Sequence, residues 1–228
     1  MDSIYKERAR LIVATFPEKI QKDSADGKCS LFPHIIDMFS TSAEVWSKCF
    51  NDIPSGFDNY NCPECGKFTR NVPTIWIKQQ KQICDEGYGA LGKYLQQTTT
   101  NFQTTCYQCE RTVCNVNRVY NRHVYVELEL RKNLKSQLMT CKLSEFEKSI
   151  EFSANNNTFR LKGIISYSPG HFVAFCRRSN NQWELHNDLS TKEVRITHDP
   201  TITPTAAIFI RRDTAVRNQP IKRKRTEE

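Results

Sequence analysis

Apolar positions along this chain change their period twice. Over residues 3–22, Ile4, Leu11, Ile12 and Phe16 recur at helical spacing, which predicts a helix broken at Pro17. Leu31, Ile35 and Phe39 form an i, i+4 stripe that Phe32 and Ile36 widen, predicting a second helix over 30–39. Ser30 can cap it, and Pro33 falls in its first turn, where the missing N–H does no harm. From 52 to about 118 the text turns to Pro54, Gly56, Pro63, Gly66, Pro73, Gly87 and Gly89. This reads as short strands with one helix over 91–97. Beyond it the period drops to two. Val124, Val126, Leu128 and Leu130 alternate with Tyr125, Glu127 and Glu129, the pattern of a half-buried strand. Further strands are predicted over 159–167, 171–177, 182–187, 193–197 and 206–211.

Helices first and antiparallel strands later indicate an α+β fold. Three segments follow: 1–51 helical, 52–212 carrying the turn-rich insertion and the strands, and 213–228 a basic tail. In 228 residues, 38% of them hydrophobic, a sizeable core is affordable, and Trp46, Trp76 and Trp183 are candidate anchors. No apolar run approaches the roughly 20 residues of a membrane helix, and residues 1–10 lack a signal-peptide core. The expected location is intracellular, nucleus or cytoplasm. The net charge is +8, of which Lys222, Arg223, Lys224 and Arg225 supply four. That run suits nuclear import as well as a solvated tail. Elsewhere the basic residues are spread out, without a recognition-helix signature beside the cysteines. A zinc-stabilised nucleic-acid binder is therefore the weakest of the function classes considered.

Of ten cysteines, four form two Cys-x-x-Cys pairs, Cys62/Cys65 and Cys106/Cys109. Two intervening residues let one tight turn present both sulfurs to one ion, and two such turns complete a four-thiolate site. Such a site has no open position, so the expected zinc is structural. Cys114 is a substitute ligand of poorer spacing. Cys49, Cys84, Cys141 and Cys176 read as small apolar residues.

His171 follows the turn Ser168-Pro169-Gly170 and begins a strand, and Ser179-Asn180-Asn181 marks a turn to the next strand. A hairpin turning at or just after Ser179 pairs His171 with Asn187 or with Asp188. An amide or carboxylate there would fix the imidazole tautomer and leave the other nitrogen as a base. An ordinary hairpin with a polar end fits the same residues.

Leu161–Ile165, Gly170-His171-Phe172-Val173-Ala174-Phe175 and Trp183–Asp188 together resemble the histidine box of ubiquitin-specific proteases. Ala206–Ile210 resembles the closing strand of that family, Val124–Arg131 its strand after the zinc finger, and the cysteine pairs its zinc-bearing fingers. Gln21-Lys22-Asp23-Ser24 resembles its Gln-x-Asp segment. The resemblance covers roughly residues 55–212. It implies a papain-like thiol protease with an antiparallel palm sheet, a fingers insertion, N-terminal helices and an incomplete thumb, acting on ubiquitin or a ubiquitin-like modifier. His171 would be the general base, Asn187 its orienting partner, and Asp188 an assistant. The family's Gly-Asn-Thr-Cys-type nucleophile box is not in this sequence. Cys29, after Gly27 and Lys28 at a predicted helix start, is the one candidate in a comparable setting. The alternative is a pseudoprotease that binds ubiquitin without cleaving it.

Overall fold

The computed structural model describes residues 10–17, 20–22, 34–36, 41–96, 100–133, 137–146, 148–152, 157–187, 189–190 and 194–212. Residues 10–15 are helical (α1), followed by β1 (Ile20–Lys22) and β2 (His34–Ile36), which pair antiparallel. This corrects the predicted second helix over 30–39 at its centre. Ile35 and Ile36 are β-branched, and a short apolar stripe fits either period. The remainder of that stretch, with Ser30, Pro33 and Cys29, lies outside the described residues. The expected helix over 3–22 also gives way to a strand at Ile20, and Gln21 stands on that strand. A helix not foreseen, α2 (Ser42–Cys49), starts at Thr41, whose hydroxyl accepts the Glu44 N–H at 3.1 Å.

The turn-rich region holds β3 (Gly56–Cys62), β4 (Gly66–Val72), β5 (Ile75–Trp76), α3 (Gln80–Glu86), α4 (Leu91–Gln96), β6 (Asn101–Thr105) and β7 (Val113–Tyr120). β8 (His123–Glu127), β9 (Cys141–Lys142), β10 (Ser149–Phe152) and β11 (Asn157–Ser168) follow. The chain closes with β12 (His171–Arg177), β13 (Trp183–His186), β14 (Val194–Ile196), β15 (Thr201–Ile202) and β16 (Pro204–Arg211). Eight strands form the main sheet, in the order β14-β13-β12-β11-β16-β8-β5 with β10 added beside β11. Its pairs are antiparallel except β5 with β8. β4-β3-β7-β6 make a separate four-stranded antiparallel sheet. Mixed α and β with antiparallel sheets agrees with the α+β expectation.

Alternation explains the core of the main sheet. Val124, Val126, Leu161, Ile164, Phe175 and Phe209 project to one face and meet Ile83, Leu91 and Leu95 of α3 and α4. Each such side chain contributes about 1.5–3 kcal/mol on leaving water. The strand at 123–127 departs from its half-buried expectation. Tyr125 is as buried as Val124 and Val126, because Trp46 of α2 stacks on its ring with centroids 4.7 Å apart. Trp76 corrects another expectation. It is 69% exposed on edge strand β5 and anchors nothing. Cys49 is exposed rather than packed, whereas Cys84 and Cys141 are buried.

The two sheets meet at a tight junction. Ser55 donates its hydroxyl to the Pro73 carbonyl at 2.6 Å and accepts the Tyr125 N–H at 2.9 Å. Its carbonyl accepts the Asn121 N–H at 2.9 Å. Beside it, a Cβ on Gly56 would stand 2.7 Å from the Val119 carbonyl oxygen, a backbone atom that cannot swing aside. Gly56→Ala is therefore expected to cost about 1–3 kcal/mol, read as a lowered midpoint in urea denaturation with an unchanged slope. Among the described residues no helix is long and apolar enough to cross a membrane.

Candidate functional site

The four-stranded sheet gathers both cysteine pairs at one end. Cys62 ends β3 and pairs with Gly66, whose φ of +77° closes the turn through Pro63-Glu64-Cys65. That conformation favours glycine. On the neighbouring hairpin, Cys106 follows β6, and its N–H donates to the Thr112 carbonyl at 2.8 Å. Glu110, at φ +56°, turns the chain back into β7. Because β3 and β7 are adjacent and antiparallel, with Asn61 opposite Asn115, the two turns lie side by side.

The sulfurs of Cys62, Cys65, Cys106 and Cys109 all lie within 4.8 Å of one another. Cys62 to Cys109 and Cys106 to Cys65 are each 3.9 Å. A tetrahedron with metal–sulfur bonds of about 2.3 Å has edges of about 3.8 Å, so the cage has the right size for one ion. Among the described residues this is the one group of three or more His, Cys, Asp or Glu placed to hold a metal. Electrostatics agree with that reading. Backbone N–H groups of Arg111 and Thr112 directed at Cys109 pull its thiol down to about 6, toward the thiolate that a metal ligand must be. Desolvation and hydrogen bonding with the other three thiols push Cys65 up to about 12. Without a cation the cluster has to retain protons, and a divalent ion displaces them. Cys114 is buried beside Cys62 and Cys106 but directs its sulfur to the Thr104 carbonyl at 3.6 Å. It stands outside the four-sulfur group.

His171 opens β12 opposite Ser168 of β11, across the turn Pro169-Gly170 with Gly170 at φ +85°. Pro then Gly at positive φ is the turn chemistry that ends one strand there and starts the next. The imidazole is half-buried, and its Nε2 is shielded from solvent without a hydrogen-bond partner among the described residues.

The β12–β13 register differs from both sequence-based alternatives. Ala174 faces His186 and Arg177 faces Trp183, a register that, continued one step beyond β13, would set Asn187 opposite Val173 and not opposite His171. The cause is the turn. Arg178 N–H donates to the Gln182 carbonyl at 2.9 Å, enclosing a three-residue loop with Asn181 at φ +65°. That is the three-residue hairpin with a left-handed last residue, centred on Asn180 rather than at Ser179. Continued past the end of β13, that register would make Asn187 a diagonal neighbour of His171, a spacing of roughly 7–8 Å. The Asn187 Oδ1 accepts the Leu189 N–H at 3.0 Å, and its carbonyl accepts the Ser190 N–H at 2.9 Å. Asn187 thus caps its own turn. Asp188 and Cys29 lie outside the described residues. Cys176, five positions along β12 from His171, has the opposite parity and projects from the other face.

A second feature escaped the sequence. Asp58, 3% exposed, sits directly opposite Arg118 on β7. Arg118 donates Nε to Oδ1 at 2.6 Å and Nη2 to Oδ2 at 2.7 Å. Both residues stand at buried parity in otherwise alternating strands, and that parity was the signal available.

No family model matches the chain, and no curated protein matches it. Solved structures do align with it in part. The SAGA Ubp8/Sgf11/Sus1/Sgf73 DUB module shares 13% identity at TM-score 0.42, over 70% of this chain and 38% of that one. The same module bound to ubiquitin aldehyde gives 16% and 0.34, over 69% and 41%. The Saccharomyces cerevisiae apo Pan2 pseudoubiquitin hydrolase–RNA exonuclease module with AACCAA RNA gives 14% and 0.39, over 69% and 32%. The chain therefore spans 32% to 41% of the length of these proteins. The chains it resembles belong to deubiquitinase and pseudoubiquitin-hydrolase modules, and at these scores the likeness assigns neither activity nor ligand.

Proposed function

We propose that this chain is a ubiquitin-specific-protease-like domain, with a palm sheet and metal-pinned fingers that engage ubiquitin or a ubiquitin-like modifier. The observation that carries the reading is the four-sulfur cage at the tip of a four-stranded sheet, inserted before the sheet that bears His171. Sequence resemblance in the histidine box supports it. The ion is zinc, since soft thiolates in a tetrahedral cage select it. With four protein ligands the ion has no place for substrate and serves structure.

In the hydrolytic form of this reading His171 takes a proton from a thiol, Asn187 orients the imidazole, and Asp188 assists. Cys29 is the candidate nucleophile within the sequence. The engagement of Asn187 by its own turn favours a second form, a pseudoprotease that binds without cleaving. A ubiquitin derivative with a thiol-reactive C-terminus separates the two. Ubiquitin binding without covalent labelling is the expected result. Labelling that disappears in both Cys29→Ala and His171→Ala would establish the hydrolase instead. Absence of binding to ubiquitin and to ubiquitin-like modifiers would remove the whole reading.

A further inference from the structure

Cys114 is the one cysteine of the small sheet that the cage leaves out. It is 3% exposed and packs in the same buried cluster as Cys106 and Cys62, itself 2% exposed. The register of β3 with β7 brings Cys114 to Cys62. Asn61 lies opposite Asn115, and one step further along both strands stand Cys62, the last residue of β3, and Cys114, the second of β7. Alternation sends both side chains to the buried face, with Tyr60 and Val116.

Backbone hydrogen bonds fix the kind of pair these two residues make. Asn121 N–H donates to the Ser55 carbonyl at 2.9 Å, so odd-numbered residues along β7 turn their backbone groups to β3. Even-numbered ones turn to β6, as Arg118 N–H does in donating to the Thr100 carbonyl. Cys62 and Cys114 therefore stand at a non-hydrogen-bonded position of the antiparallel pair, where Cα atoms are about 4.5 Å apart and side chains come closest. A disulfide spans Cα separations of about 4.4–6.8 Å, so the two strands can be bridged here without moving the backbone. The Cys114 sulfur faces the Thr104 carbonyl at 3.6 Å, and rotation about its Cα–Cβ bond turns it toward Cys62.

We propose that Cys62 and Cys114 are a redox pair, joined by a cross-strand disulfide when the ion leaves the cage. The pair presupposes a metal-binding cage and nothing about ubiquitin. While the ion is bound, Cys62 is held as a ligand. Once it is free, the Cys62 thiolate attacks a small disulfide such as glutathione disulfide, whose S–S bond breaks and releases one glutathione thiolate. Cys114 then gives its proton to solvent and attacks the Cys62 sulfur, and the second glutathione leaves. Two protein thiols are oxidised and one glutathione disulfide is reduced to two thiols. The new bond staples β3 to β7 and takes one ligand from the cage, so the ion cannot return until the disulfide is reduced. Cys62 with Cys109 and Cys65 with Cys106 have sulfurs 3.9 Å apart, but those pairings need both turns in place. Cys62 and Cys114 need only the β3–β7 ladder, in which Asp58 and Arg118 are also opposed.

The test uses the full chain loaded with a zinc salt, then exposed to glutathione disulfide with and without a strong chelator. Free thiols are blocked, and disulfide-linked peptides are mapped by mass spectrometry. With chelator the principal link should join Cys62 to Cys114. Without it that link should be about tenfold scarcer or more, because the ion protects its ligand. The oxidised chain should take up metal again only after a reductant is added. Cys114→Ser should load one metal ion per chain as the native chain does, and should still reload after the same oxidation. Cys114→Ala replaces it should the buried hydroxyl disturb the packing. A principal link of Cys62 with Cys109, or of Cys65 with Cys106, overturns the proposal, as does a native chain that reloads unhindered. Failure of both variants to load would make Cys114 a ligand and overturn it as well. A chain that binds no metal removes the cage itself, and the proposal with it. Ubiquitin enters none of these measurements, so a chain that fails to bind ubiquitin leaves the redox pair standing, and an unlinked Cys114 leaves the function proposed above standing.

Discussion

Stripping the metal from this chain should unfold its four-stranded sheet while the main sheet persists. The buried cluster of the small sheet comprises Tyr60, Cys62, Cys106, Cys114 and Val116, so three of its five members are cysteines. Tyr60 and Val116 contribute about 1.5–3 kcal/mol each by burial. A structural zinc site contributes an apparent figure of about 10–16 kcal/mol, so such an ion outweighs the burial of these two side chains, even with Phe68 and Phe102 packed against them. By contrast the main sheet packs Ile83, Leu91, Leu95, Val124, Val126, Phe209 and others without any thiolate. A strong chelator, or Cys106→Ser, should therefore release one metal ion per chain and open the turns at 63–65 and 107–110 to protease. Cleavage should produce a trimmed species that keeps a cooperative melting transition. Lowering the pH acts in the same direction, because the ligands must be thiolates to hold the ion. A metal-free chain with unaltered protease resistance would show that the sheet holds itself together, and the cage would then be incidental.

How far the sequence carried this structure depended on the range of each signal. The metal cage was legible because Cys-x-x-Cys is a local device, one turn for each pair. Strands over 157–168, 171–177 and 204–211 were legible from alternation and from the Pro169-Gly170 turn. Register was not, since it depends on the loop. Moving the centre of the 179–181 turn by one residue slides the partner of His171 by two, and Asn181 at φ +65° decided the matter. The helix expected over 30–39 failed at Ile35 and Ile36 for want of length. Trp76 misled because a large ring usually goes inside, whereas β5 has no neighbour beyond its edge. The exposed amides of the small sheet were visible piecemeal as Asn59/Asn61, Asn101/Gln103 and Asn115/Asn117. That the three pairs share one face follows only from pairings between residues 12 to 58 positions apart.

Asp58→Ala should destabilise the small sheet more than any other single substitution outside the metal ligands. Asp58 and Arg118 are opposed residues in a central pair of strands, with the carboxylate 3% exposed. The guanidinium lies over the Phe102 ring at 5.3 Å. Deleting the carboxylate leaves a cation in that setting with no counter-charge. Arg118 cannot escape by losing its proton, because guanidinium stays charged throughout the accessible pH range. Removing one partner of such a pair costs about 3–5 kcal/mol, against about 1 kcal/mol or less for a surface pair such as Arg178 with Glu184. Asp58→Asn keeps the shape but loses the charge, and should fall between Asp58→Ala and the native chain. The combined change Asp58→Leu with Arg118→Met removes both charges and should restore most of the loss, because burying two apolar groups imposes no ionic desolvation. Urea denaturation of the metal-loaded native chain, Asp58→Leu, Arg118→Met and the combined change closes a double-mutant cycle and measures the coupling. Coupling below about 1 kcal/mol would mean that water reaches the pair and screens it. Asp58 lies four residues before Cys62 on the same strand, about 13 Å from the cage. A loosened pair should therefore also speed release of the metal to a chelator, which ties the stiffness of the strand to the hold of its tip on the ion.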